Sequence, residues 1–467
     1  MLNTIYMTYK KTMSIAVILI ILYSQAYSQS SFSLEDAVQY ALKNSTQIKL
    51  NNLALADADA QLIEYKSIGY PKINGTSSFQ HFLAIPATVI PDFLSPVVDG
   101  RLVNYNLIQQ NQVDPPAEGG FPAKFGQKNS FSLGAAVNTT LYDPAFFQGL
   151  KASKLYKDLV TRQNSITDIT IRQAVAKAYL GALITQKSKS ILDQNIATLD
   201  KITNETKIIQ SKGFIEQIDV DRLTLSLNTL QTEAGKVEKL QEVTINVLKM
   251  QMGYPMNEPI ALTESIDQLS GQIELENIDL GSSFKPDQRP EYRTMQLADE
   301  LNKIRMKSIK LAAYPTVSGF ANASYGTQTN NLFSKNSFWF PTAIAGFQVN
   351  VPIFDGFNRK ARYQKAAIES DKLKLQMSEF ERAMTLEVNN ARIQFANAKT
   401  TVESNKKNME LAQRIYDQAQ LKFKGGVGSS VEINQAETAM IQSQSNYINS
   451  LYNLLLAKVD LDKALGK

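Results

Sequence analysis

The stretch "FKGGVGSSVEINQAE", Phe423 to Glu437, is the first place where residue types and spacing point toward chemistry. Glycines followed by serines resemble a phosphate cradle. A Walker-type loop, however, needs a lysine and then serine or threonine after its glycines, and it leaves a strand to open a helix. "GGVGSS" has no such lysine and lies between two helical patterns, so phosphate binding is rejected. Asp219 and Asp221 form a second candidate, a carboxylate pair. Such pairs are common on solvated helix faces and do not alone imply acid–base catalysis. His81 is the single histidine, and there is no cysteine. Disulfides, thiolate ligands, lipid attachment through an N-terminal cysteine, multi-histidine metal sites and a Ser-His-Asp triad away from His81 are thereby excluded. No enzyme constellation remains: no catalytic residue, no cofactor site and no metal site is expected.

The elements around these residues must explain them instead. The chain has 467 residues, 43% of them apolar, which is ample for a folded core. Its 49 basic and 44 acidic residues form no basic block, so nucleic acid is not a partner. Lys10 and Lys11 precede the apolar run Met13 to Tyr23, and small residues follow at Ala26 to Ser28. These are the three parts of a secretory signal peptide, residues 1–28, with cleavage after Ser28. A membrane anchor is the alternative, but the run is short for the roughly 20 residues of a span. No later run approaches that length, so residence in a membrane would not be through helices.

The chain repeats itself. "YPKINGTSSF" at Tyr70 pairs with "YPTVSGFANA" at Tyr314, and "AAVNTTLYD" ending at Asp143 pairs with "FQVNVPIFD" ending at Asp355. "SKGFIEQIDV", Ser211 to Val220, pairs with "KGGVGSSVEI", Lys424 to Ile433, without a gap. Three pairs in one order indicate duplication of a half-protein. The expected division is a first repeat over 29–252, a linker region over 253–289 and a second repeat over 290–467. Each repeat reads as helix, two strands, long helix, turn, long helix. The first helices cover about 33–68 and 290–313 and stop before Pro71 and Pro315, because proline disfavours a helical residue before it.

Strands are expected near 72–82, 130–142, 316–326 and 339–353. Phe131, Leu133, Ala135, Val137 and Leu141 alternate with Ser132, Gly134, Asn138 and Thr140; Trp339, Ala343, Ala345, Phe347, Val349, Val351 and Ile353 alternate with Thr342, Gly346, Gln348 and Asn350. The other two strands alternate less cleanly. A half-buried soluble sheet and an outer-membrane barrel both fit this pattern, and the length and the export signal favour the barrel.

Long helices are expected over 144–211, 216–252, 356–424 and 429–465. Asp143-Pro144 reads as an N-cap followed by proline at the first position, and Asp355 caps the matching helix. Leu373, Met377, Phe380, Met384, Val388, Ala391, Phe395, Ala398 and Val402 recur at steps of four and three, close to a coiled-coil seam. The two longest helices span on the order of 100 Å each, so an elongated α+β architecture is expected. Four strands cannot close a barrel in lipid, and single-chain barrels start at about eight. Two or more chains must then share one; the residues alone do not choose between two chains and three.

This combination, with the C-terminal run "AQLKFKGGVGSSVEINQAETAMIQSQSNYINSLYNLLLAKVDLDKALGK", "QRPEY" at Gln288 to Tyr292 and the closing "ALG" at Ala464 to Gly466, resembles the TolC-like outer-membrane efflux channels. The resemblance implies a homotrimer in the outer membrane of a Gram-negative bacterium. Its strands would form a shared twelve-stranded barrel in outer-membrane lipid, and its helices a trimeric α-barrel tunnel through the periplasm. It implies a passive conduit for efflux or type I secretion, opened by a periplasmic adaptor and driven by an inner-membrane pump. Residues 253–289 and both chain ends would form the belt around the tunnel. The turns Lys212-Gly213 and Lys424, Gly425, Gly426, Val427, Gly428 would be the adaptor-docking tips.

By position, Glu432 and Asp219 match the family's first acidic constriction residue and its counterpart. The second acidic position falls on Gln435, the gate tyrosine on Phe423 and the gate arginine on Gly428, so the usual tyrosine–arginine latch is not reproduced. A ring of Glu432 would attract cations, and cation preference is the expectation; the plain alternative is a solvated helix carboxylate. A stand-alone porin-like pore and a periplasmic coiled-coil adhesin are the rival readings. The first needs no such long helices, and the second leaves the strands unexplained. The 83–128 segment reads as an external loop, opposite a short counterpart at 328–336.

Overall fold

The computed structural model describes residues 30–113, 120–275, 284–331 and 338–467. The expected signal peptide, 1–28, lies outside the described residues, as do 114–119, 276–283 and 332–337 of the segments named above. In chain order the elements are β1 (Ser30–Phe32), α1 (Leu34–Asn44), α2 (Thr46–Ser67), β2 (Lys72–His81), β3 (Ala87–Ile90), α3 (Leu94–Asn104), β4 (Phe121–Lys124), β5 (Asn129–Tyr142) and α4 (Pro144–Ser211). There follow α5 (Gln217–Met252), β6 (Ile260–Leu262), α6 (Ile266–Leu275), α7 (Pro290–Leu311), β7 (Thr316–Thr329), β8 (Trp339–Asn350), α8 (Asn358–Lys424) and α9 (Ser430–Ala464). Among the described residues, no helix is long and apolar enough to cross a membrane.

Four local features depart from the sequence reading, each for a physical reason. The first helix divides at Ser45, whose extended backbone ends α1 and whose hydroxyl accepts from the Ile48 amide. The 83–128 segment is not only loop: it holds α3 and the antiparallel pair β3–β4. Strand β8 stops at Asn350, short of 353, because Pro352 has no amide to donate and biases Val351 before it. Helix α8 starts at Asn358, not 356, because Gly356 and Phe357 take left-handed φ values of 60° and 64°. Asp355 still caps it, accepting from the Arg359 amide at 2.9 Å. Asp143 does the same for α4, accepting from Ala145 at 2.8 Å.

The chain divides into two compact units, and the division cuts across both sequence repeats. One unit comprises Ala60–Lys154 and Asn302–Ile368. Its centre is an antiparallel sheet in the order β2-β5-β7-β8. The register aligns Ile73, Val137, Ala321 and Ala345 in one row and Phe79, Phe131, Thr327 and Trp339 in another. Rows such as Thr76, Gly134, Ser324 and Thr342 lie on the opposite face. Strands β2 and β7, whose alternation looked weak in isolation, thus join one apolar face. A bulge between Thr140 and Tyr142 takes Leu141 out of that alternation. Tyr325 stacks on Trp339 at 5.4 Å, with Phe131 edge-on to the same ring. Among the described residues the apolar face is largely uncovered: Phe347 is 73% exposed and every residue of β8 is exposed, while Thr327 is buried.

The other unit comprises 30–59, Leu155–Leu301 and Glu369–Lys467. Met384, Val388, Ala391, Phe395 and Val402 of the expected seam are buried in it. Val388, Ala391, Phe395 and Val402 sit in a core with Val175, Tyr179, Leu180, Leu248, Leu451 and Leu454, so α4, α5, α8 and α9 share one apolar centre. Ser30–Phe32 and the end of α9 are both tied to the 253–289 segment. β1 pairs in parallel with β6, and the Tyr179 hydroxyl donates to the Phe32 carbonyl at 3.0 Å. At the other end, Arg289 is buried and its Nη1 donates to the Ala464 carbonyl at 3.0 Å, one of the last carbonyls of α9. The same guanidinium forks onto Glu291 at 2.9 and 3.0 Å and reaches Glu387 at 3.1 Å.

Candidate functional site

The two helix reversals close with the same hydrogen bonds. Gly213 donates to the Gln210 carbonyl and Phe214 to that of Ile209; Gly426 donates to Phe423 and Val427 to Lys422. These are paired Schellman motifs, which require a left-handed residue. Gly213 and Gly426 supply it with φ of 81° and 73°. Phe214 and Val427, the residues after them, are 80% and 82% exposed. The second reversal is tighter, because Gly428 also donates to the Lys422 carbonyl at 3.1 Å. A Cβ on Gly428 would stand 2.8 Å from the Phe423 nitrogen. Glycine is needed there for space, and no arginine fits in its place without moving backbone.

Beyond the reversals, α5 and α9 each carry an acid in the first turn, but only α9 has a side-chain cap. Ser429 caps α9 by accepting from the Glu432 amide at 3.2 Å. Glu432 and Asp219 both fall in a first helical turn, where a carboxylate is favoured by the helix dipole. Neither is left unbalanced. Lys422 Nζ lies 3.0 Å from Glu432 Oε1, with both side chains about half exposed. Arg222 Nη1 lies 3.7 Å from Asp219 Oδ1. Lys424 is paired as well, at 3.0 Å to Glu205; Lys212 is exposed.

The starts of α5 and α9 are stapled to each other by side chains. Ser430 donates to Asp219 and accepts from Arg222 Nη1 at 3.0 Å. One turn on, Ser226 donates to Asn434 Oδ1 at 2.6 Å. The spacing of four residues in both helices places the two contacts on facing sides. Behind them lies an apolar cluster that includes Leu199, Leu223, Tyr416, Ile433 and Met440. Phe423 is buried in this cluster, so its ring packs where a gate tyrosine was the comparison.

Glu437 is 4% exposed, and its Oε2 has no hydrogen-bond partner among the described residues. Burial pushes its carboxyl up to about 7. Gln435 is exposed and lines an open groove between α8 and α9 together with Arg414, Lys422, Glu432, Ala419 and Ala436.

The sequence reading singled out Glu432, Asp219 and the turn residues but missed Lys422, Arg222, Ser430, Ser226, Asn434 and Glu437. Lys422 had a signal: a residue in the last turn before a tight reversal comes back beside the first turn after it. The α5–α9 contacts had none, because they join residues 208 to 211 apart in sequence.

Comparison with known proteins agrees with these elements. Residues 295–467 match the family described as outer membrane efflux protein. The probable efflux pump outer membrane protein TtgC of Pseudomonas putida is 21% identical over 304 residues, which are 64% of this chain and 61% of TtgC. The antibiotic efflux pump outer membrane protein ArpC, also of Pseudomonas putida, matches to the same extent. The chain thus spans about three-fifths of the length of these relatives. The structure superposes on CusC with a TM-score of 0.69 at 14% identity, covering 92% of this chain and 91% of that one. For the Campylobacter jejuni CmeC outer membrane channel the TM-score is 0.69 at 16% identity, covering 93% and 85%. For the open-state MtrE channel of Neisseria gonorrhoeae it is 0.65 at 15%, covering 93% and 88%. At these identities the likeness establishes the fold.

Proposed function

We propose that the chain, whose residues 295–467 match the outer membrane efflux protein family, is the outer-membrane channel of a tripartite efflux or type I secretion system. The observation that carries this reading is the β2-β5-β7-β8 sheet. It has a largely exposed apolar face, and edges at β2 and β8 without partners among the described residues. In lipid such edges must be paired. Three chains around one axis would pair them in a twelve-stranded barrel, and four long helices per chain would line a tunnel. The protein acts as a passive homotrimeric conduit, opened by a periplasmic adaptor and driven by an inner-membrane pump.

Within this reading Glu432 and Asp219 stand at the constriction. The reversals at Lys212-Gly213 and at Lys424 to Gly428 are the adaptor-docking tips, with Phe214 and Val427 as apolar contacts. Bulky residues in place of Gly213 and Gly426 should abolish export while leaving a heat-resistant trimer in the outer-membrane fraction. Normal export by that variant would count against docking at the tips. Recovery of the wild-type chain as a soluble periplasmic monomer would remove the channel reading altogether.

The missing tyrosine–arginine latch is replaced by the Asp219–Ser430–Arg222 and Ser226–Asn434 contacts, which hold α5 to α9 in the closed tip. Replacing Arg222 and Ser430 with alanine should raise the conductance of the resting channel several-fold. A resting conductance equal to wild type would show that the latch is elsewhere.

A further inference from the structure

We propose that Lys422 and Arg414 set the charge of the constriction and cancel the cation preference that Glu432 alone would impose. This rests on the channel reading above and names which ions its narrowest part admits.

The groove between α8 and α9 carries both positions at which the family's acidic ring falls, Glu432 and Gln435. Only one of them is a carboxylate here. The α8 wall of the same groove contributes Arg414, Gln418 and Lys422, spaced by four residues and therefore on one helix face. Lys422 contacts Glu432 directly at 3.0 Å. Arg414 is exposed and has no ion-pair partner among the described residues. Asp219, the remaining acidic candidate, is offset by Arg222.

Each chain thus presents two cations and one carboxylate on this face, and the surplus is positive. Lys422 and Glu432 lie within a Debye length of about 8 Å at physiological salt, so their fields add, and Arg414, two turns away along α8 at about 12 Å, adds a second positive charge to the same groove. Low-dielectric walls focus that field into the passage. A carboxylate ring would concentrate cations and bind multivalent ones. A ring of Glu432–Lys422 pairs with surplus guanidinium groups does neither and is open to anionic solutes.

Single-channel recording of the purified trimer in a planar bilayer under a KCl gradient tests this. The wild type should show a potassium-to-chloride permeability ratio of one or below and no block by hexamminecobalt(III). The double variant Lys422→Gln/Arg414→Gln should raise that ratio roughly threefold or more and become sensitive to hexamminecobalt(III). The Lys422 backbone carbonyl, which holds the reversal, is unchanged by this substitution. Arg414→Gln alone, away from the turn, should shift the ratio in the same direction. Glu432→Gln should shift it the opposite way. A strongly cation-selective wild type, or a ratio that the double and single variants leave unmoved, would overturn the inference while leaving the channel standing. A trimer that forms no pore at all would overturn the channel reading and this inference with it.

Discussion

Replacing Arg289 with methionine is expected to destabilise the unit that contains both chain ends by about 3–5 kcal/mol. The guanidinium is 5% exposed and makes four hydrogen bonds: two to Glu291, one to Glu387 and one to the Ala464 carbonyl. Burial works against the charged form of Glu291, yet the Arg289 hydrogen bonds and charge hold its carboxyl below the ordinary value. Methionine fills much of the volume but leaves a largely buried carboxylate and a helix-end carbonyl without their donor. Removing one partner of a buried pair is costly for that reason, whereas the intact pair is not itself a large net gain.

Lysine at this position should recover only part of the loss, because an ammonium cannot make the planar fork. Glu291→Gln in the methionine background should recover part of it too, by removing the unpaired charge. Hydrogen exchange of the amides of α9 near Leu461 reads the effect locally, without requiring two-state unfolding of the whole protein. Unchanged protection in Arg289→Met would refute the role assigned to this network.

The second large effect is a pH dependence at Glu437. Its carboxyl is raised from 4.5 to about 7 by burial, so the folded chain binds this proton more tightly than the unfolded one. A raised acid contributes fully below about pH 4.5, and its contribution is lost as pH rises through 7. Across that window the helix cluster around Tyr416, Ile433 and Met440 should lose about 3 kcal/mol. Glu437→Gln removes the titration and should hold the cluster near its low-pH stability at pH 8. Hydrogen exchange in α9 at several pH values, corrected for intrinsic rates, compares the two chains. Equal slopes with pH would mean that Glu437 remains ionised and solvated in the folded protein.

The helices and the strands were legible in the sequence because each rests on a local rule. Proline before a turn, aspartate as a cap, period-two alternation and the step of three and four act within a few residues. Met384, Val388, Ala391, Phe395 and Val402 of the seam lie buried as their spacing requires, and Leu373, Met377, Phe380 and Ala398 are half-buried. The departures are local as well. Pro352 shortens β8, and the left-handed Gly356 and Phe357 delay α8.

The candidate site was only half legible. Glycines at the reversals and an acid in each first turn are short-range signals. Whether those acids are free charges is not, because Lys422 meets Glu432 only across a closed reversal and Ser430 meets Asp219 only when α5 and α9 lie side by side. The two compact units each draw segments from both sequence repeats, since a sheet and a helix bundle bury surface with whatever is adjacent in space.

By itself, then, the sequence determined the long helices and the alternating strands, because propensity, capping and periodicity act along the chain. Only the tertiary structure decided which charges at the tip are balanced, which glutamate is buried and what joins the two reversals. Electrostatics and burial depend on neighbours in space, and those neighbours are some two hundred residues away along the chain.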